Sequence, residues 1–64
     1  MKVKYDKEND ILYMEFSEEP VSESYEDKPG IIIDYSKEGY IVGIEILNAS
    51  RNTEYPNKFE YEVA

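Results

Sequence analysis

Cysteine, histidine and tryptophan are all absent from this chain of 64 residues. Without cysteine no disulfide can staple the fold, and without thiolate or imidazole the usual zinc sites are excluded. The Ser–His and Cys–His pairings that activate nucleophiles are excluded as well. Glycine is scarce. Gly30, Gly39 and Gly43 stand apart, so there is no Gly-rich loop to cradle a phosphate. Basic residues are few: 7 Lys and Arg face 15 Asp and Glu, a net charge of −8. A nucleic-acid backbone would repel such a surface, because affinity for it rests on Lys and Arg neutralising phosphates. Long apolar runs are missing too; none approaches the roughly 20 residues of a membrane-spanning helix. The opening stretch MKVKYDKEND lacks the apolar core of a signal peptide. These absences predict a cytoplasmic protein that binds neither membrane nor, by itself, nucleic acid, and they call for no cofactor.

What is present is a series of short β-prone runs between turn signals. Lys2–Tyr5, Ile11–Phe16, Val21–Tyr25, Ile31–Tyr35 and Ile41–Leu47 lie between clusters such as Asp6 to Asp10, Ser17 to Pro20, Lys28-Pro29-Gly30 and Lys37-Glu38-Gly39. The connections are too short for parallel crossovers, and no window repeats at helical spacing. The fold class predicted is mainly β: a single antiparallel meander sheet of about five strands over residues 1–50. Residues 51–64 form a C-terminal tail. Phe59, Tyr61 and Val63 alternate there with charged residues, which leaves open a sixth strand or a frayed end. Asn48 to Asn52 reads as one helical turn or a loop.

The pattern also assigns faces. If Glu38-Gly39 is a two-residue turn, Tyr35 lies opposite Val42, Ile33 opposite Ile44 and Ile31 opposite Ile46. Every pair on that face is apolar. The other face pairs Asp34 with Gly43 and Ile32 with Glu45, and a one-residue slip would mix the two. In the first hairpin Val3, Tyr5, Leu12, Met14 and Phe16 join the apolar face, while Ile11, Tyr13 and Glu15 join the other. The second face therefore mixes apolar and acidic groups, the composition of an interface. Ile11, Tyr13, Ile32, Asp34, Ile41, Gly43 and Glu45 are its candidate interface residues. A chain this short buries only about 60% of its unfolded surface, so self-association, a dimer first of all, is the stabilising device left to it.

The stretches VKYDKENDILYMEFS and PGIIIDYSKEGYIVGIEILNAS resemble domain-of-unknown-function family 2283. Asp34-Tyr35, Gly39, Val42 to Leu47 and Ala49-Ser50 at their fixed spacing carry the resemblance, which runs from about residue 3 to residue 50. Ser36 stands where Asp is commoner in the family, a change confined to the turn. The family has no established activity. The resemblance implies a small β-rich fold. Some members are encoded beside small RNase-like toxin candidates, which implies an antitoxin-like inhibitor. The residues themselves point to a non-enzymatic, acidic interaction module, because acidic surfaces attract basic protein partners. The alternative is a small-ligand or divalent-metal protein using Asp34 and Glu45, with Asp10, since paired carboxylates can hold a hard cation. Against Asp10 stands its simpler use in closing the first turn.

Overall fold

A computed structural model describes residues 1–64. Five strands form one open antiparallel sheet: β1 (Lys2–Asp6), β2 (Ile11–Glu15), β3 (Glu23–Lys28), β4 (Ile31–Tyr35) and β5 (Ile41–Leu47). One helical turn, α1 (Ala49–Asn52), follows and crosses the boundary expected at residue 50. The mainly β, single-sheet expectation is met. The spatial order is β1-β2-β5-β4-β3, so β3, β4 and β5 run as a meander and β5 returns to pair with β2. Residues 16–22 link β2 to the far edge past the ends of the two strands between them. The carbonyl of Val42 accepts the N–H groups of Phe16 at 2.7 Å and Ser17 at 3.3 Å, and Ser22 donates to the carbonyl of Tyr35 at 2.7 Å. Backbone bonds thus hold both ends of the link.

The register of the β4–β5 hairpin is Ile31↔Ile46, Ile32↔Glu45, Ile33↔Ile44 and Asp34↔Gly43, as the alternation predicts. The last pair differs. Tyr35 faces Ile41 rather than Val42, across a bulge. The cause lies in the turn, which is longer than the expected Glu38-Gly39. Gly39 donates to the carbonyl of Ser36 at 2.9 Å and Ser36 donates to the carbonyl of Tyr40 at 2.8 Å, closing a three-residue loop. Gly39 has φ 89°, the left-handed conformation that ends such loops. Ser36 is buried, and its Oγ accepts the Tyr40 N–H at 3.1 Å, a role an Asp carboxylate can also fill.

β3 begins two residues later than expected and runs on to Lys28, because Pro29-Gly30 makes the tight turn that pairs Lys28 with Ile31. A bulge between Glu26 and Lys28 absorbs Asp27. Both edge strands carry charge: Lys2 and Lys4 on β1, and Glu23, Glu26, Asp27 and Lys28 on β3. Charges and a bulge keep an edge from recruiting another strand.

The tail forms no sixth strand. Phe59 and Tyr61 stack on each other with ring centroids 6.5 Å apart, and with Met1 and Val3 they line a shallow apolar cleft of about 300 Å³. No second layer of secondary structure covers the apolar face of the sheet. Only Asp34, Ser36, Val42, Gly43 and Ala49 are buried, and no large side chain is fully enclosed. No helix is long and apolar enough to cross a membrane.

Candidate functional site: an acidic face centred on Tyr13

Ladder pairing arranges one face of the sheet in rows. Lys2, Glu15, Gly43, Asp34 and Ser24 form one row across all five strands. Lys4, Tyr13, Glu45, Ile32 and Glu26 form the next, and Asp6, Ile11 and Leu47 begin a third. Six of the seven candidate interface residues therefore share this face: Ile11, Tyr13, Ile32, Asp34, Gly43 and Glu45. Ile41 does not stand with them. The bulge pairs it with Tyr35, a residue of the opposite face, at the margin of the sheet.

Tyr13 explains the glycine at the centre of β5. A Cβ built on Gly43 would lie 2.7 Å from the Tyr13 hydroxyl oxygen, 3.1 Å from its Cζ and 2.9 Å from the Met14 carbonyl oxygen. The Tyr13 ring thus lies across the bare backbone of Gly43, and only glycine leaves room for it. Asp34, on the other side of Gly43, is only 8% exposed and accepts a 2.6 Å hydrogen bond from Ser24 Oγ. A short bond from a neighbouring strand offsets part of the cost of burying this polar group. Glu15 meets Lys2 Nζ at 3.6 Å, whereas Glu45 makes no ion pair. A depression of about 250 Å³ opens between Lys4, Asp6, Ile11, Tyr13 and Glu45.

Burial, followed by the charges of Asp34, Glu15 and Glu45, pushes the Tyr13 hydroxyl above its usual pKa. It stays protonated at neutral pH and is no base. The face offers carboxylates and flat apolar surface. No three acidic side chains come together as a metal-holding group.

Asp10 lies at the opposite end of the sheet and has a different task. Its φ is 55°, a left-handed conformation that Asp tolerates, and it closes the β1–β2 turn. Its carboxylate accepts from Tyr5 Oη at 2.7 Å, Ser50 N at 3.0 Å and Ser50 Oγ at 2.6 Å. The Asp10 carbonyl also accepts the Ala49 N–H at 2.9 Å. These bonds clasp α1 to the first hairpin. They hold the Asp10 carboxyl below its usual pKa, the Ser50 hydroxyl most of all and Tyr5 next. The same carboxylate raises the pKa of the Tyr5 hydroxyl. The partners are 40 residues apart in sequence, so no local pattern could have announced the clasp.

The model of a protein family described as of unknown function, DUF2283, matches residues 2–50. The chain belongs to the DUF2283 family. The match takes in the whole sheet, the acidic face and both partners of the Asp10–Ser50 clasp. An uncharacterised protein of Methanocaldococcus jannaschii, MJ0789, is 45% identical over 51 residues, which are 80% of this chain and 43% of that protein. The chain thus spans less than half the length of this relative. No solved structure matches.

Proposed function

We propose that this protein is a non-enzymatic interaction module that offers its acidic face to a small basic protein in the cytoplasm, in the manner of an antitoxin-like inhibitor. The observation that carries this reading is the grouping of Glu15, Asp34 and Glu45 around Tyr13, with Ile11 and Ile32 beside them. Apolar and aromatic surface supplies contact area, and the surrounding negative charge speeds encounter with a cationic partner and selects for it. The net charge of −8 extends the same attraction over the whole molecule.

Affinity capture at low and high salt tests the reading, with wild type run beside the double variant Glu15→Lys/Glu45→Lys. The expected result is one small basic protein held by wild type, released as salt rises and not retained by the variant. Capture that ignores both salt and charge reversal, or recovery of no basic companion at all, overturns it. For the divalent-cation alternative, Asp10 is occupied by Tyr5 and Ser50 and stands apart from Asp34 and Glu45. Saturating Mg²⁺, Mn²⁺ or Ca²⁺ is therefore expected to leave the melting temperature unchanged, since only a ligand of the folded form raises it.

A further inference from the structure

The second face of the sheet has its own composition. Val3, Met14, Ile44, Ile33 and Tyr25 form a row across all five strands, and Tyr5, Leu12, Ile46, Ile31 and Lys28 form the next. Beyond Tyr35 and its partner Glu23 the face ends at the turn. Its charged members, Glu23 and Lys28 with Asp27 in the bulge beside them, all lie on the edge strand β3. A sheet with one continuous apolar face is half of a two-layer structure, because that face must be buried against something.

We propose that a second copy of this chain covers the apolar face, the two sheets packing face to face about a twofold axis near Ile44 and Ile33. Surface area argues for a partner of this size. A compact monomer of 7.5 kDa exposes roughly 4,250 Å² by the mass scaling of monomeric proteins, whereas this chain exposes 5271 Å². The excess, about 1,000 Å², matches the roughly 800 Å² that each partner loses in a standard interface. Part of it lies in the tail, where Phe59, Tyr61 and Val63 are each more than half exposed. From the cleft at Met1 and Val3 the Phe59–Tyr61 stack stands at the rim, where it would seal the junction of two sheets. Charge does not bar a like partner. Two chains of net charge −8 repel, yet on this face they meet with few charges between them. The acidic face stays outside the dimer, so this inference and the proposed function stand or fall separately.

The test exploits the absence of cysteine. Sedimentation equilibrium of the wild-type chain from low to high micromolar concentration is expected to give twice 7.5 kDa. Ile44→Cys is expected to form a disulfide-linked dimer on mild oxidation, and Glu45→Cys, one residue away on the other face, is expected to stay monomeric on a denaturing gel. Ile44→Glu is expected to give a monomer or an unfolded chain. A wild-type monomer at every concentration would mean that the tail alone serves the face, and would overturn the proposal. So would cross-linking of Glu45→Cys without Ile44→Cys, which would place the contact on the acidic face.

Discussion

The two faces of this sheet alternate residue by residue along the same strands, yet they are built for different surroundings. One carries Val3, Leu12, Met14, Ile33, Ile44 and Ile46 and lacks the second layer that an apolar face requires. The other carries Glu15, Asp34 and Glu45 around Tyr13, and its most crowded point, Gly43, is closed from within by the Tyr13 ring. A strand with period-two geometry can serve two neighbours at once, one on each side. The glycine and the carboxylate within the run from Ile41 to Leu47 therefore do not interrupt a core strand; they are the half of it that faces the other way.

The comparison is broken most severely by a charge on the apolar side. Ile44→Glu should destabilise by on the order of 3 kcal/mol or more, since in the proposed dimer it buries an unpaired carboxylate. Ile32→Glu, on the acidic side, should cost clearly less in the same denaturant melt. If both cost the same, the faces are not distinct. Gly43→Ala should cost roughly 1–3 kcal/mol through overpacking against Tyr13 and the Met14 carbonyl. Tyr13→Leu in the same chain should recover part of that loss, and full additivity of the two changes would show that the ring does not fill the space above Gly43.

Acid sharpens the contrast between the acidic face and the clasp. The folded Asp10 carboxyl titrates below its usual range, held there by Ser50 and then Tyr5. Its contribution to stability is therefore full above the ordinary Asp pKa, near about 3.9, and is lost as pH falls through the lowered folded value. Asp6, held down by the side chain of Asn9, acts in the same sense. Thermal melts below about pH 5 should fall more steeply with pH for wild type than for Asp10→Ala, which should start lower at neutral pH. Equal slopes would remove Asp10 from the acid response. The smallest effect is expected at Glu45→Gln, within about 0.5 kcal/mol of wild type, because Glu45 makes no ion pair. Its effect should appear instead as slower association with a basic partner at low salt.

Much of this architecture is legible in the sequence because turn chemistry and alternation are local. The bounds of β4 and β5 and four of their five pairs follow from Pro29-Gly30, Gly39 and the apolar period. The bulge at Val42 is not legible, since it depends on whether the turn at Ser36 to Gly39 uses two residues or three. The start of β3 is not legible, because Val21 resembles a strand residue yet precedes the first ladder pair, Glu23↔Tyr35. Pairing of β2 with β5 rather than β3 is a tertiary choice that no short window records. The Asp10–Ser50 clasp is illegible for the same reason. The tail's alternation of Phe59, Tyr61 and Val63 is a genuine strand signal, but alternation alone supplies no partner strand.

The most direct test of two differently occupied faces is NMR with isoleucine methyl labels and a soluble nitroxide. The chain must be studied at a concentration where it is fully associated. The methyls of Ile33, Ile44 and Ile46 should keep their intensity, while those of Ile11 and Ile32 should broaden. Equal broadening on both faces, or protection of Ile11 and Ile32 instead, would contradict the account.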